Sequence, residues 1–468
     1  MATGSYDAVV VGAGVNGLTA AARLTRAGRR VLVVEGSATI GGSAATAELL
    51  VPGVRHDLGA AVVPFAAGSP AFHALGLDLP LRFAPIEFAH PLDGGRVASV
   101  HRSIDETAAV FGADGRTYRQ LVQRFTDHFA ELAVDVLASQ VKVPRHPILM
   151  ARFGAKAVQS ADRLGRRFDA PEGRALLAGL GAHATVPPDD PLTGGIGLLL
   201  LVAAHAVGWP VVAGGTQTVA DALADVVREG GGTIEVGHTI SSLRDLPPAA
   251  TTLFDITPRQ FARLAPDAAA QYGRWEYGPG ACKVDYVLSG PVPWAADACR
   301  RTATVHVGGT AHEIISGERD IAAGRHAGAP FVLVAQPHVA DPGRLVDGRL
   351  PLWTYCHVPN GSDVDVSGAI EAQIDRFAPG WRDLILAKRV LTAQASEAVN
   401  PNRIGGDLAG GLMSFAQVVF GPRPGRNPYR TNLPGLYLCS SSLPPGAGVH
   451  GMVGWHAAGT ALRDHPGR

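Results

Sequence analysis

Asp7-Ala-Val-Val-Val11, Gly12-Ala-Gly14-Val15-Asn16-Gly17 and Val31-Leu-Val-Val34 stand close together near the start of the chain, and Glu35 follows the last of them. The two apolar, β-branched runs are typical of strands buried on both faces. The glycine-rich run between them predicts a tight turn, after which Leu18 to Ala27 predict a helix. This order of strand, turn, helix, strand and acid indicates a Rossmann-like dinucleotide site.

The glycine turn has the features that a diphosphate requires. Gly12 permits the tight turn, Gly14 lets the backbone approach the phosphates without a Cβ in the way, and Gly17 lets the helix close on the strand. The amides at the start of the helix attract negative charge. Glu35 lies eighteen residues past Gly17, where an acid accepts hydrogen bonds from ribose hydroxyls and repels a 2′-phosphate. We therefore expect an adenosine without that phosphate; the alternative is a glycine turn that binds nothing.

The next residues decide between FAD and NAD. Ile40-Gly41-Gly42-Ser43 places a second glycine pair soon after the acid, a pattern similar to the extended fingerprint of large FAD oxidoreductases. No second Gly-x-Gly-x-x-Gly turn follows a strand later in the sequence, so a nicotinamide domain is not indicated. The sequence therefore predicts FAD.

Composition narrows the other possibilities. A chain of 468 residues is too long for one ordinary core, so we expect two closely joined domains. Lys plus Arg and Asp plus Glu both number 41, which gives no general electrostatic reason to bind nucleic acid. The four cysteines form no Cys-x-x-Cys, which argues against a dithiol reductase and a zinc site and favours a reducing compartment. The N-terminus lacks the basic segment of a secretory signal, so a cytoplasmic protein, soluble or peripheral, is expected.

From Val51 to Val63 the sequence predicts a turn followed by an apolar strand. Here the chain resembles, from end to end, the phytoene desaturase-like branch of FAD-dependent oxidoreductases, which contains carotenoid desaturases, isomerases and saturases. The resemblance implies that Gly59 to Val62 approach the flavin ring; an ordinary buried strand is the alternative.

Two later segments complete the predicted cofactor domain. The resemblance implies that Ile240 holds the adenine through its backbone, beyond a helix over Thr216 to Gly230 and a strand. The chain then departs from the family, because a shortened connection leads straight to Thr251-Thr-Leu-Phe-Asp255. From Pro434 to Met452 it is again similar to the family pattern of a strand, a glycine-rich turn and the last helix, whose amides would stabilise charge on a reduced flavin.

In this last segment Ser441 falls where many flavoproteins place an acid or a small residue near the ribityl-diphosphate. His450 replaces a frequent proline, and it is either an active-site group or a local cap. The predicted cofactor-binding residues are Gly12, Gly14, Val15, Asn16, Gly17, Glu35, Gly41, Gly42, Ser43, Ile240, Ser441, Gly448, Val449 and Met452.

The remaining sequence predicts a substrate domain. Residues 103–184 have helical patterning, and Gly194 to Val207 predict a buried helix that, by the resemblance, lines the substrate cavity. Strand alternation places Trp353, Tyr355 and His357 on one face, either in a cavity wall or in the core. Between Lys142 and Arg167 basic and apolar residues are interleaved, so this stretch forms either a face for anionic lipid or a solvated basic helix.

We therefore expect an α/β protein with a Rossmann-like FAD-binding domain built from three segments and a mixed α+β substrate domain. The first comprises residues 1–64, 211–257 and 426–468, and the second residues 65–210 and 258–425. No residues present themselves as a catalytic acid and base. The oligomeric state is open.

The resemblance implies hydride transfer from a hydrophobic, isoprenoid- or polyene-like substrate to the flavin, with oxygen or a quinone as the final acceptor. The direction of the redox chemistry is open, since relatives also act as saturases and isomerases. A flavin amine oxidase is the alternative, disfavoured because Ser43 stands where those enzymes usually carry an arginine. A flavin-binding scaffold protein without turnover is a third reading.

Overall fold

Segments from three distant parts of the chain form one parallel sheet, which lies beside a larger and mostly antiparallel sheet. The computed structural model describes residues 6–139, 143–423, 425 and 427–466. The strands are, in chain order, β1 (Ala8–Val11), β2 (Val31–Val34), β3 (Thr46–Glu48), β4 (Arg55–Asp57), β5 (Leu81–Arg82), β6 (Phe88–Pro91), β7 (Val97–Val100), β8 (Val211–Val212), β9 (Thr233–Glu235), β10 (Thr251–Phe254), β11 (Gly280–Leu288), β12 (Thr304–Val307), β13 (Val332–Ala335), β14 (Leu350–Val358), β15 (Ile385–Leu391) and β16 (Leu436–Leu438).

Helices pack on both sheets and form a separate helical layer between residues 104 and 206. The helices are, in chain order, α1 (Val15–Arg26), α2 (Pro64–Ala67), α3 (Pro70–Leu75), α4 (Ile104–Val110), α5 (Gly115–Asp127), α6 (Phe129–Val136), α7 (Pro147–Ala157), α8 (Ala161–Gly165), α9 (Pro171–Ala182), α10 (Thr193–Ala206), α11 (Gln217–Glu229), α12 (Pro258–Leu264), α13 (Asp297–Arg300), α14 (Ala311–Ala322), α15 (Ser367–Phe377), α16 (Ala393–Val399), α17 (Phe415–Phe420) and α18 (Met452–Asp464). Among the described residues no helix is long and apolar enough to span a lipid bilayer.

The parallel sheet has the strand order β16-β10-β1-β2-β9. Its central strands β1 and β2 are fully buried, as their apolar sequences predict. The carboxyl ends of parallel strands meet at one edge of a sheet. The glycine turn after β1, Glu35 after β2 and Asp255 after β10 therefore come together at the same edge.

Glycines let α18 pack against the start of α1 at very short distance. A Cβ on Gly454 would lie 1.8 Å from the Asn16 carbonyl oxygen, and a Cβ on Gly451 would lie 2.2 Å from Thr19 Oγ1. The Gly454 amide also donates to the side-chain oxygen of Asn16 at 3.5 Å. The last helix of the protein is therefore seated on the first turn of α1, next to the glycine turn.

The larger sheet has the strand order β15-β11-β14-β13-β12-β6-β7 and is antiparallel except between β12 and β6. Directly paired residues of antiparallel strands share a face. Lys283 pairs with Tyr355 and Asp285 pairs with Trp353, so these four side chains lie on one face, which we call the inner face. Apolar residues of the opposite face pack against α15.

Most of the predicted elements are present, with two local exceptions. The helical stretch predicted over residues 103–184 is confirmed as α4 to α9, and the predicted buried helix is α10. The turn and strand predicted between Val51 and Val63 are present with a shorter strand, β4 (Arg55–Asp57). Residues 59–63 do not continue it, because the Ala60 amide donates to the Ser43 carbonyl oxygen and the Val63 amide to that of Pro210. Helix α1 begins at Val15 and not at Leu18.

The connection after β9 and the domain boundaries need separate comment. Residues 236–250 contain a short 3₁₀ turn, Leu243–Asp245, and no strand, in keeping with the shortened connection expected there. The boundaries predicted for the two domains stay a prediction.

Gly454→Ala is expected to destabilise the protein, because its Cβ would meet the backbone of α1. Overpacking of this kind costs about 1–3 kcal/mol. Gly154→Ala in α7 is the matched control, since a Cβ there meets nothing within 4 Å; alanine should stabilise that helix by about 0.5–1 kcal/mol. Urea unfolding of both variants measures the difference. Equal stability of the two variants would contradict the packing described for α18.

Candidate functional site

The glycine turn brings the start of α1 against the carboxyl end of β10. Gly12 has a φ of +99°, which glycine adopts without strain. A Cβ on Gly17 would lie 2.1 Å from the Gly12 carbonyl oxygen, and a Cβ on Gly14 would lie 2.6 Å from Asp255 Oδ2. The packing of the protein itself therefore requires glycine at these positions. The approach of Gly14 to a diphosphate stays a prediction.

Asp255 follows β10 and directs its carboxyl group at the N-terminus of α1. Its Oδ2 accepts a hydrogen bond from the Gly17 amide at 2.9 Å. Because Gly14, the residue before α1, has no side chain with which to cap the helix, Asp255 provides this cap from another strand. Burial raises the pKa of Asp255 to about 7. The hydrogen bond from the Gly17 amide lowers this pKa, and the negative charge of Glu35 raises it further. This carboxyl group therefore titrates near neutral pH.

Glu35 lies on the other side of the turn. Its Oε2 accepts a hydrogen bond from the Ala13 amide at 2.7 Å, and its Oε1 accepts one from the Ser37 amide at 2.8 Å. The segment that leads to Ile240 crosses the same end of β2, because the His238 amide donates to the Glu35 carbonyl oxygen. Ile240 therefore lies near the end of β2. Its contact with an adenine stays a prediction.

The second glycine pair docks on the glycine turn. The Gly41 amide donates to the Ala13 carbonyl oxygen at 2.8 Å, and a Cβ on Gly42 would lie 3.4 Å from Gly14 Cα. Ser43 is the next residue and is exposed. This arrangement places the pair beside the position predicted for the diphosphate.

The third predicted segment leads from β16 to α18. Ser441 and Val449 are half-buried, Gly448 has a φ of +146°, and Met452 opens the helix. The Met452 amide donates to Nδ1 of His450 at 3.0 Å. Burial lowers the pKa of His450 to about 4, so the ring is neutral and can accept this bond. The structure thus favours the local cap over an active-site role for His450.

These segments fit a dinucleotide. No described residue accepts a hydrogen bond from the amides of Gly14 and Asn16, so the N-terminus of α1 keeps free donors for an anion. Each oxygen of Glu35 retains a lone pair for a ribose hydroxyl. A charged Asp255 would repel a diphosphate, whereas the neutral acid would not. The site is therefore best suited to a dinucleotide when Asp255 is protonated.

A second polar group lies on the inner face of the larger sheet. Lys283 Nζ lies 2.5 Å from both carboxylate oxygens of Asp285, and His56 Nδ1 lies 3.6 Å from the same carboxylate. All three side chains are buried. Burial lowers the pKa of Lys283, although Asp285 opposes this effect. Burial alone would raise the pKa of Asp285, but Lys283 and His56 hold it below its usual value. This pair can hold a proton inside the protein.

Aromatic side chains stand next to this pair. The rings of Trp353 and Tyr355 meet edge to face with centroids 5.2 Å apart, and Lys283 Nζ lies 5.8 Å from the Trp353 ring centre. Trp353 is half-buried, and its Nε1 has no hydrogen-bond partner among the described residues. His357 shares the face and lies 2.9 Å from Glu318 through Nδ1. The partial exposure of Trp353 favours a cavity wall over plain core.

A buried ion pair connects the segment after the glycine pair to the substrate side. Asp57 accepts hydrogen bonds from the guanidinium of Arg344 at 3.1 and 3.2 Å. It also accepts bonds from the Thr216 amide at 2.8 Å and from the Thr46 hydroxyl at 2.7 Å. The Asp57 carboxylate is therefore held by hydrogen bonds from three different segments of the chain.

Sequence reasoning missed Asp255, Lys283, Asp285 and Arg403 as site residues. Asp255 directly follows a predicted strand of the cofactor sheet, which is a position where ligands bind. Lys283 and Asp285 are charged residues inside an apolar strand, and such residues are rarely buried without a reason. Arg403 has no local signal, because it contacts Ser43 across 360 residues.

Comparisons with known proteins agree with this fold. A family model described as an NAD(P)-binding Rossmann-like domain matches residues 10–75. The rat pyridine nucleotide-disulfide oxidoreductase domain-containing protein 2 is 24% identical over 98% of this chain and 94% of its own length. The phytoene dehydrogenase of Streptomyces griseus is 28% identical over 81% of this chain and 77% of its own. The structure of putrescine oxidase bound to putrescine superposes with a TM-score of 0.60 at 17% identity, over 98% of both chains.

The chain is an oxidoreductase, as the relatives that it matches over most of its length are. Its α/β fold, with a Rossmann-like domain and a mixed second sheet, is confirmed as predicted. The phytoene dehydrogenase is a distant relative by sequence, and putrescine oxidase has a similar fold.

Asp255→Asn is expected to stabilise the protein at pH 8 and to leave it unchanged near pH 4. The folded protein holds a proton on Asp255 up to about pH 7, whereas the unfolded chain loses it near 3.8. The wild type therefore loses stability as the pH rises through this window, and asparagine removes the loss. At about 1.4 kcal/mol per pKa unit, the difference approaches about 4 kcal/mol.

Urea unfolding of both proteins at pH 4.5, 6 and 8 measures this effect. Asp267→Asn, at an exposed position, is the control and should show no such pH dependence relative to wild type. Parallel stability curves for wild type and Asp255→Asn would show that Asp255 titrates like an exposed acid.

Proposed function

We propose that the protein binds FAD and oxidises an apolar, isoprenoid- or polyene-like substrate by removing a hydride from one of its C–H bonds. FAD, when bound, supplies the acceptor for that hydride. The character of the inner face carries this proposal. Aromatic rings stand there beside the buried pair of Lys283 and Asp285. The proposal concerns the substrate class and the cofactor, since the oxidoreductase class stands on the comparisons above.

Two acids described at the inner face, Asp285 and Glu318, are already paired and are therefore not available to an alkylammonium ion, the form that most amines take at neutral pH. Asp285 lies 2.5 Å from Lys283 Nζ, and Glu318 lies 2.9 Å from His357 Nδ1. Both carboxylates are buried and already paired. A second cation placed beside either pair would lose its hydration without gaining a counter-charge, and this desolvation is costly. A neutral, apolar substrate meets no such cost.

A separate cleft includes apolar side chains in its wall. Trp275, Leu412, Met413 and Val418 line it together with Gln417, Ser441 and several small or proline residues. Flat hydrocarbon chains pack well on such aromatic and thioether surfaces. This lining suits a substrate without charged groups.

The chain's own residues would bind FAD and orient the substrate. Glu35 would accept the ribose hydroxyls, and the amides at the start of α1 would bind the diphosphate. Trp353 and Tyr355 would hold a flat substrate by ring contacts. Lys283 and Asp285 would take up or supply a proton beside it, because their pKa values are set by each other and by burial.

Anaerobic mixing of the FAD-loaded protein with a polyene in detergent tests the proposal. Loss of the visible absorbance of oxidised flavin is the expected result, and an alkylamine should produce none. Bleaching by the amine alone would replace the proposal with an amine oxidase. Bleaching by neither substrate class would favour a scaffold without turnover.

A lysine pair refines this test. Lys283→Met is expected to slow bleaching by about tenfold or more, because the proton-holding pair is lost. Lys388→Met is the matched control: it lies on the neighbouring strand, where it pairs with Tyr286 on the opposite face and contacts Glu371 at 2.8 Å. Equal rates for the two variants would remove Lys283 from the reaction.

We also propose that residues 143–167 rest on anionic lipid. Val143, Ile148 and Val158 are 91%, 70% and 53% exposed, and Arg145 and Arg152 are exposed among them. Lys142, the first residue of the predicted basic stretch, lies outside the described residues. Phe153 packs on Phe125 and fixes α7 to the helical layer, which leaves Ile148 directed outward. An apolar surface rimmed by arginines is typical of a peripheral membrane contact.

The protein is therefore expected to sediment with vesicles that contain anionic lipid at low salt, and to be released as salt screens the charges. Ile148→Ser combined with Arg152→Gln should reduce binding at least about fivefold, at roughly 1 kcal/mol per basic residue. Val364→Ser, at a position 46% exposed elsewhere, is the control. Binding that is absent at low salt would remove the membrane contact.

A further inference from the structure

Arg403 is a buried cation that has no carboxylate partner among the described residues. The residue is only 6% exposed. Its guanidinium donates to Ser43 Oγ at 3.2 and 3.4 Å, to Ser396 Oγ at 3.3 Å and to the Leu58 carbonyl oxygen at 3.4 Å. All of these acceptors are neutral. Burying a charge against neutral groups alone is costly.

The other arginine that is buried in this region is treated differently. Arg344 is 3% exposed and has Asp57 within 3.1 and 3.2 Å of its guanidinium. The protein thus provides a carboxylate for one guanidinium and none for the other. This contrast indicates that the counter-charge of Arg403 comes from a ligand.

The position of Arg403 identifies which part of a ligand it would meet. Its main contact, Ser43, directly follows the glycine pair, and a Cβ on Gly42 would lie 3.4 Å from Gly14 Cα at the glycine turn. The guanidinium therefore stands beside the turn whose amides point toward a diphosphate. Arginine forms bidentate bonds with phosphate oxygens.

The loop that carries Arg403 is fixed to both parts of the protein. The Thr257 amide, just beyond β10, donates to Asn402 Oδ1 at 2.9 Å. On the other side, Asn360 Nδ2 donates to the Ile404 carbonyl oxygen at 3.1 Å. The guanidinium is therefore held in place before any ligand arrives, which lowers the entropy cost of binding.

We infer that Arg403 binds the diphosphate of the bound dinucleotide. Amine oxidases usually carry an arginine directly after the glycine pair, where this chain has Ser43. Arg403 would supply that guanidinium from a position 360 residues later. This inference rests on the proposed binding of FAD. It adds a cofactor-binding residue that the glycine fingerprint does not contain.

Three ligands separate the parts of FAD in the test. FAD and ADP carry a diphosphate, whereas riboflavin has the flavin ring without phosphate. Arg403→Gln should raise the dissociation constants of FAD and ADP by about 10–100-fold, the value of a charge-assisted hydrogen bond, and leave that of riboflavin within about twofold. Fluorescence quenching and calorimetry measure all three on the apoprotein. Arg349→Gln removes the same charge from an exposed position and should change none of them.

A compensating variant covers the case in which Arg403→Gln is poorly folded. Ser43→Arg with Arg403→Gln returns a guanidinium to the glycine pair, where position 43 is exposed and has room for it. FAD affinity should return to within about threefold of wild type. Continued loss of affinity in a folded double variant would overturn the inference.

The remaining outcomes are also decisive. Loss of riboflavin affinity with unchanged ADP affinity would place the guanidinium at the flavin ring and overturn the assignment to the diphosphate. If the wild type binds FAD and Arg403→Gln binds it with the same affinity, the inference about Arg403 is overturned and the proposed cofactor stands. Failure of the wild type to bind FAD would overturn the proposed cofactor together with the inference.

Discussion

Direct contact between backbones around the glycine turn is the constraint on which the rest of the structure depends. Gly17 packs on the Gly12 carbonyl and Gly454 on the Asn16 carbonyl at distances that exclude a Cβ, and Gly42, with a φ of +57°, lies in contact with Gly14. The contact between Gly454 and Asn16 joins the two ends of the chain, and the other two join neighbouring turns near its start. Because a rigid backbone lies against each of these glycines, the segments at the carboxyl edge of the parallel sheet have little room to shift relative to one another.

Several buried charges at this edge and on the inner face are paired. Asp57 has Arg344, Asp285 has Lys283, and Glu318 has His357. Asp255 and Arg403 have no ionic partner among the described residues, and they lie at the glycine turn and beside the glycine pair. A diphosphate between them would satisfy Arg403 and disfavour the charged form of Asp255. Protonation of Asp255 and binding of a dianion are therefore expected to favour each other.

The sequence predicted the elements that depend on local pattern. The strand, turn and helix from Ala8 to Arg26 follow from apolar runs and glycines, and α10 follows from an apolar stretch between turns. The segment from Gly59 to Val63 is apolar but has no strand neighbour, so β-propensity was overruled by hydrogen bonds to distant residues. Arg403 could not be predicted as a candidate site residue, because its contact with Ser43 spans 360 residues. Lys283 stands out in the sequence as a charged residue in an apolar strand, but its partners depend on the fold.

The fold by itself does not distinguish a dehydrogenase of hydrocarbons from an amine oxidase, since both kinds of relative share it. The difference must lie in the charges that a substrate meets. At the inner face Asp285 lies 2.5 Å from Lys283 Nζ and Glu318 lies 2.9 Å from His357 Nδ1, and the aromatic rings beside them carry no charge. An ammonium ion would have to compete with Lys283 for Asp285 in a site that water does not screen, where like charges repel strongly. If the substrate meets the inner face, as proposed, the pairing of Lys283 with Asp285 would select against cationic substrates.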